Sequence, residues 1–375
     1  MPIFLIMTFI IAVSCLLVTY RTLASYSGFP LWAKLGILFW LTISWFSPVI
    51  LRLIRNYNLL NGTTYAIIAK TAYFMLGIVF VLIMLLLVRE IVWYVVYAIS
   101  KNEALSPDNV SLLNRNNLIT VILSVIIAFY SAYEANKTPN VIDFTIEDCK
   151  IKQDTKVVVA SDLHIDMATP LWQIKQIVNL INAQNPDYIL LVGDIIDDEP
   201  EGLDEKLDEL KKLKAKKIYL SFGNHEHYNA PAKWMLKFTN LGFDVLYNTG
   251  EQINDTGLFV AGIPDMYSAE PNFEKASYYA TEDNFKILMS HSPAIIKQLN
   301  EHQFDLTVSG HTHGGQIYPF HYIVKSANGF LAGMYQVNNN RLYITRGAGY
   351  WGPPMRIFAP SDITVFNFKR KENEK

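Results

Sequence analysis

The spacing of apolar and polar positions changes once along the chain. In residues 1–137, uncharged apolar stretches recur at Pro2–Tyr20, Leu35–Leu51, Thr71–Val88 and Leu118–Tyr133. Stretches of this length suit helices that cross the hydrocarbon core of a bilayer, so a region of four transmembrane helices is expected over residues 1–137. The third stretch runs into Arg89-Glu90 and then a further apolar segment to Ile99. Either the span stops near Arg89 with an interfacial helix after it, or the pair is tucked inside the bundle; charges near a span end commonly sit at the interface, which favours the first. No basic residue precedes the first stretch and no small-x-small site follows it, which argues against a cleaved signal peptide.

Residues 134–142, with Pro139, read as the exit from the membrane. Short apolar runs then alternate with helical spacing. Lys156–Ser161, Tyr188–Val192, Ile218–Ser221, Leu258–Ile263, Lys286–Ser290 and Phe304–Ser309 have the length and composition of buried strands. Leu171–Ala183 places Ile174, Ile177, Val178 and Ile181 on one helical face, and Leu203–Leu213 is amphipathic. Pro231 and Pro293 occupy first-turn positions of two further helices. Met334–Val337 and Leu342–Thr345 flank three asparagines as a hairpin, and Ile363–Phe368 is a last strand. This alternation predicts an α/β domain over residues 138–375.

Charge follows the same division. Residues 1–137 carry nine Lys/Arg against four Asp/Glu; the remainder carries 23 against 30, and all eight histidines lie at or beyond His164. The two cysteines, Cys15 and Cys149, give no disulfide framework. Basic residues do not separate the two sides of the membrane: Arg21, Lys34, Lys101 and Arg115 stand against Arg52, Arg55, Lys70 and Lys137. The charge nearest the first helix, Arg21, follows it. This favours an outside N-terminus and, after four spans, an extracytoplasmic second half.

The chemistry-bearing residues gather where strands end. Ser161-Asp162-Leu163-His164 follows the first strand, Gly193-Asp194 the second and Gly223-Asn224-His225-Glu226 the third. His291 follows another, and Gly310-His311-Thr312-His313-Gly314-Gly315-Gln316 a fifth. Singly, each has an ordinary structural explanation: Asp162 as a helix cap, Asp194 in a turn, Asn224 in a left-handed position, the two nearby histidines as an exposed strand end. Five such endings at the carboxyl ends of strands, where α/β sheets bind ligands, point to one site.

D-x-H, G-D, G-N-H-E, an isolated His and G-H-x-H, in this order over roughly residues 155–350, resemble the calcineurin-like metallophosphoesterases. Thr345-Arg346-Gly347 and the Pro-rich stretch after it resemble the bacterial branch that includes membrane-linked and exported members. The resemblance implies a β-sandwich flanked by helices, in α/β/β/α layers, and a two-metal site. Asp162, His164 and His313 would hold the first ion, Asn224, His291 and His311 the second, and Asp194 both. Nitrogen and oxygen ligands of this kind suit Mn2+, Fe, Zn2+ or Ni2+, and such a pair of ions clamps a phosphoryl group and activates water. The resemblance makes His225 the proton donor or charge stabiliser at the leaving group, oriented by Asp197. The phosphatase branch continues with Arg where this chain has Asp198, so one phosphate-clamping Arg is absent and Arg346 is the candidate replacement. His227 is a candidate substrate contact; His302 and His321 match no motif and read as surface residues.

Three functions are compatible with this reading: a membrane-anchored metal-dependent phosphoesterase, a nuclease or nucleotide phosphodiesterase on the same fold, and a non-catalytic membrane protein with a degenerate domain. The complete ligand set argues against the last. A second half of net charge −7 without a Lys/Arg stripe lacks the footprint of a polyanion-binding surface, so no nucleic-acid partner is expected. Lys206–Lys217 reads as the solvated face of a helix and its exit. The short membrane exit and the aromatic residues after the motifs (Tyr318, Phe320, Tyr322, Tyr350, Trp351 and Phe358) favour a lipid-linked or envelope phosphoester or diphosphate.

Overall fold

The computed structural model describes residues 2–57, 59–228 and 230–371. The chain forms two compact units, one of Met1–Tyr133 with Gly352–Met355 and one of Glu134–Trp351 with Arg356–Lys375.

The first unit is built on four helices, α1 (Pro2–Tyr20), α2 (Leu31–Asn56), α3 (Gly62–Ser100) and α4 (Val110–Asn136). Among the described residues, α2, α3 and α4 are long and apolar enough to cross a membrane, and Phe9–Ser25 forms a shorter apolar helical stretch. Leu41 and Trp45 of α2 pack with Val79 and Ile83 of α3 and Ala12 of α1. α3 continues unbroken through Arg89 to Ser100. The reason is local. Arg89 contacts Glu90 and donates to Asn117 Oδ1 of α4 at 2.6 Å, so its charge is held among the helices. Asn117 Nδ2 in turn donates to the carbonyls of Thr22 and Leu23, in the π-helical turn Arg21–Ser25 where α1 ends. A polar network of this kind satisfies the charge without a helix break.

The second unit contains two six-stranded mixed sheets. The first has the order β1 (Asn140–Asp148), β12 (Asp362–Arg370), β2 (Thr155–Ala160), β3 (Tyr188–Val192), β4 (Lys217–Ser221) and β5 (Asp244–Val245). The second has the order β10 (Gly333–Val337), β11 (Asn340–Ile344), β9 (Leu306–Ser309), β8 (Phe285–Met289), β7 (Leu258–Gly262) and β6 (Thr249–Gln252). β2 to β5 run parallel in one sheet, and β11, β9, β8 and β7 run parallel in the other.

Each central strand buries both faces, which is why these segments read as continuous apolar runs rather than alternating ones. Val157, Val159, Leu190, Val192 and Tyr219 of the first sheet meet Val260, Ile287, Met289, Leu306 and Val308 of the second in a shared core. The opposite residues of the first sheet, Val158, Ile189, Leu191 and Leu220, pack on α5 (Leu171–Ala183) through its predicted stripe of Ile174, Ile177, Val178 and Ile181. The outer face of the second sheet, including Phe259, Leu288 and Ile344, is covered by Ile295, Ile296 and Leu299. The result is the layered α/β/β/α sandwich.

Four features depart from the expected elements. The segment taken as membrane exit contains the start of β1, which pairs in parallel with β12. β5 and β6, at the far edges of the two sheets, were not expected. The segment after Pro293 is a 3-10 helix, Pro293–Gln298, rather than a longer α-helix. The helix α10 (His321–Asn328) follows the two-histidine motif. The remaining helices are α6 (Asp204–Leu210), α7 (Asn224–Tyr228), α8 (Pro231–Asn240) and α9 (Phe273–Ala276).

Candidate metal centre

The five strand endings converge. β2, β3 and β4 deliver Asp162/His164, Asp194 and Asn224/His225 from the first sheet, and β8 and β9 deliver His291 and His311/His313 from the second. The backbone must leave its strands abruptly to do this. Asp162, His164, Asp194, His311 and His313 all have positive φ, between 48° and 71°. Such conformations are uncommon for non-glycine residues and collect at functional sites. Two glycines permit the close approach. A Cβ at Gly310 would fall 2.2 Å from Asp162 Oδ2, and one at Gly223 would fall 2.2 Å from Asp194 Oδ1.

Among the described residues, three groups of potential ligand atoms result, Asp162 with His164 and His313, Asp194 with His291 and His311, and His164 with Asp197 and His225, each within 4.8 Å of one another. In the first, His164 Nε2 lies 3.0 Å from His313 Nε2, which lies 3.3 Å from Asp162 Oδ1. In the second, His291 Nε2 lies 2.9 Å from Asp194 Oδ2. The groups adjoin: Asp194 Oδ2 is 3.9 Å from His164 Nε2, and His291 Nε2 is 4.0 Å from Asp162 Oδ1. Asn224 is buried between Gly223 and His225, and its Oδ1 has no hydrogen-bond partner among the described residues.

Surrounding groups fix these side chains. His164 Nδ1 donates to Asp197 Oδ1 at 2.6 Å and His291 Nδ1 to the carbonyl of Val192 at 2.9 Å, so each ring turns Nε2 toward the centre. This is how metal-ligating histidines are held. Ser161 Oγ donates to Asp162 Oδ2, and the His311 amide donates to the same carboxylate. Asp197 Oδ1 also lies 2.6 Å from His225 Nδ1, so one carboxylate orients both His164 and His225.

Electrostatics favour cations here. Burial alone would keep Asp162, Asp194 and Asp197 protonated. The histidines around them outweigh it and hold all three carboxyls well below their ordinary range. The reciprocal effect appears on His291, where burial is overcome by Asp194 and the pKa is pushed up to about 10. His313 goes the other way: burial, with the charges of His164 and Arg356, pushes it down to about 3, leaving a neutral imidazole. Buried carboxylates, inward-facing imidazole nitrogens and an unpaired amide oxygen fit divalent metal ions with oxygen and nitrogen preferences.

The other predicted residues fall as follows. Arg346 Nη1 pairs with Asp362 Oδ2 at 3.2 Å and its stem lies against Gly314, beside His313. Asp198, where an Arg was absent, accepts from the Met167 amide. His227 packs its ring against Phe222 and Tyr247. His225 stands edge-on to Trp351, ring centroids 6.2 Å apart.

Two supporting residues were not foreseen. Glu226 is fully buried and accepts from the amides of Asp194, Ile195, Ile196 and Gly223, tying the loop after β3 to the loop after β4. Its place in G-N-H-E was the available signal. Arg356, also fully buried, donates to the carbonyls of His313, Arg346, Gly347, Gly349 and Ala359. Nothing in the local sequence marks it, because its partners are backbone carbonyls, which any residue supplies.

Residues 155–315 match the calcineurin-like phosphoesterase family. An uncharacterized metallophosphoesterase of Campylobacter jejuni is 33% identical over 266 residues, covering 68% of this chain and 70% of its own. An uncharacterized metallophosphoesterase of Helicobacter pylori is 30% identical over 73% of this chain and 76% of its own. A Danio rerio protein named transmembrane protein with metallophosphoesterase domain is 29% identical over 68% of this chain and 63% of its own.

Proposed function

Because the chain belongs to the calcineurin-like metallophosphoesterases, we propose that it is a membrane-anchored phosphoester hydrolase whose site takes two divalent metal ions and acts on a lipid-linked or envelope substrate. Phosphoester hydrolysis and divalent metals come with the family and with the clustered ligands. The helices α2, α3 and α4 and relatives named as transmembrane proteins make the protein membrane-associated. The number of spans, the side of the membrane and the substrate are our reading: a multi-pass anchor with the hydrolase outside the cytoplasm.

The observation that carries the reading is the meeting of two ligand groups at Asp194. In it, Asp162, His164 and His313 would hold one ion and Asn224, His291 and His311 the other, with Asp194 available to both. Bound there, the ions supply Lewis-acid stabilisation of the phosphoryl oxygens and a water nucleophile at neutral pH. The chain's own groups do the rest. Asp197 fixes His225 through Nδ1, which leaves Nε2 to face the leaving group. Burial resists charge on His225, but Asp197 and then Asp194 raise its pKa above the ordinary value, as a proton donor requires. Arg346, partly exposed beside the His313 loop, is the group offered to a phosphate oxygen.

Exposed aromatic residues support the lipid-linked substrate. Trp351 stands against His225, fixed by Gln316, which accepts from its amide and donates to its carbonyl. Tyr318, Phe320, Tyr322 and Phe358 are exposed on the same unit, Phe358 by 83%. Aromatic side chains with one wet end favour the membrane interface. Trp351→Ala combined with Phe358→Ala is therefore expected to slow hydrolysis of a phospholipid in vesicles about tenfold or more, with little change on a soluble chromogenic ester. Parallel assays of the full-length protein on both substrates test this; equal losses would reduce the helices to simple tethering.

A further inference from the structure

Beyond β7 the chain continues Ile263-Pro264-Asp265 alongside Ser290-His291, which follows β8. Gly262 is in parallel register with Met289, and the Ile263 amide donates to the Met289 carbonyl at 3.2 Å. Asp265 thus arrives at the same end of the second sheet as the ligand His291. It is wholly buried. Its Oδ2 accepts from the Tyr267 amide at 3.1 Å and from Ser268 Oγ at 3.0 Å. Its Oδ1 is buried with no hydrogen-bond partner among the described residues. His227, on α7 three residues after Asn224, has the complementary feature: Nε2 is buried and also lacks such a partner. Native proteins pair nearly all buried polar atoms, so these two, which join Asn224 Oδ1 and His291 Nε2 among the unpartnered atoms near the strand ends, call for an explanation.

The two groups act on one region. Burial pushes the His227 imidazole below its ordinary pKa, and the Asp265 carboxylate pulls against it. The same carboxylate acts, after burial and nearer charges, on Tyr228, His291 and His311. Its position beside Ser290-His291 at the end of the second sheet puts it on the side of the second ligand group.

An ionised carboxylate only accepts hydrogen bonds, whereas a neutral imidazole nitrogen gives or takes one according to tautomer. A hydroxyl group does both, and adjacent hydroxyls could serve the two residues together. We infer that Asp265 and His227 form a polar subsite beside the metal ligands that takes a hydroxyl-bearing substituent of the substrate, a polyol or sugar, rather than a bare alkyl chain. This rests on the phosphoesterase reading above. Lipid-borne and free polyol phosphates share the chemistry, and the vesicle comparison separates them.

The test uses full-length, Mn2+-loaded protein in detergent and compares glycerol phosphate with propyl phosphate as inhibitors of chromogenic phosphodiester hydrolysis. Glycerol phosphate is expected to inhibit about tenfold better, the equivalent of one net hydrogen bond. Asp265→Asn and, independently, His227→Gln should each erase that preference by weakening glycerol phosphate alone, with metal content unchanged. Equal inhibition of the unaltered protein by both compounds overturns the subsite, as does tighter binding of phosphoethanolamine than of glycerol phosphate. Loss of metal from Asp265→Asn also overturns it, by making Asp265 a ligand. Should the unaltered protein hydrolyse no ester, the failure belongs to the proposed activity; calorimetric binding of the same two phosphates then decides the subsite, with the same preference required.

Discussion

Asp194→Ala is expected to abolish hydrolysis and to leave fewer metal ions bound per chain than the unaltered protein holds. Asp194 lies against both ligand groups, with Oδ2 2.9 Å from His291 Nε2 and 3.9 Å from His164 Nε2. Its Oδ1 accepts from the His225 amide, so the same side chain also anchors the start of α7. A supporting residue one step removed from a metal typically matters about 10–100-fold in affinity; a ligand common to two ions should exceed that. Asp194→Asn, which keeps the shape and the amide contact but removes the charge, should fall between. Metal analysis of the purified variants, alongside turnover on a chromogenic ester, checks both. An Asp194→Ala protein that kept its full metal complement would remove Asp194 from the bridging role.

His225→Ala is expected to lower turnover by about 10²–10⁴, the usual contribution of a general acid or base, while metal content stays the same. His225 is held by Asp197 through Nδ1, and its Nε2 lies 3.9 Å from Asp194 Oδ2, farther than the 2.9 Å of His291. Its reading as a leaving-group residue rather than a ligand is therefore what the variant decides. The loss should shrink on esters of acidic alcohols, whose leaving groups need little protonation. Metal loss in this variant would instead make His225 a ligand.

The sandwich was legible because its central strands are buried on both faces, so that β2, β3, β4, β7, β8 and β9 stand out as apolar runs. What escaped lies at the edges. β1 alternates exposed and half-buried residues and has only Ile146 fully buried, so no apolar run announces it; its place is set by β12, more than two hundred residues away. The pairing of Arg89 was not legible because its partner, Asn117, sits on another helix. The polar residues at the strand ends were legible one by one because each follows an apolar run. The groups that support them were not. Arg356 and Asp265 act through loop carbonyls and through an unpaired oxygen, and neither leaves a periodic or spaced mark in the sequence.

Metal stoichiometry measured together with activity tests the two-ion centre most directly. Detergent-purified full-length protein, stripped by chelation and titrated with Mn2+, should bind two ions per chain, and hydrolysis of a phosphodiester should appear only as the second is taken up. A folded protein that binds no more than one ion, or that fills both positions and hydrolyses no phosphoester, would contradict it.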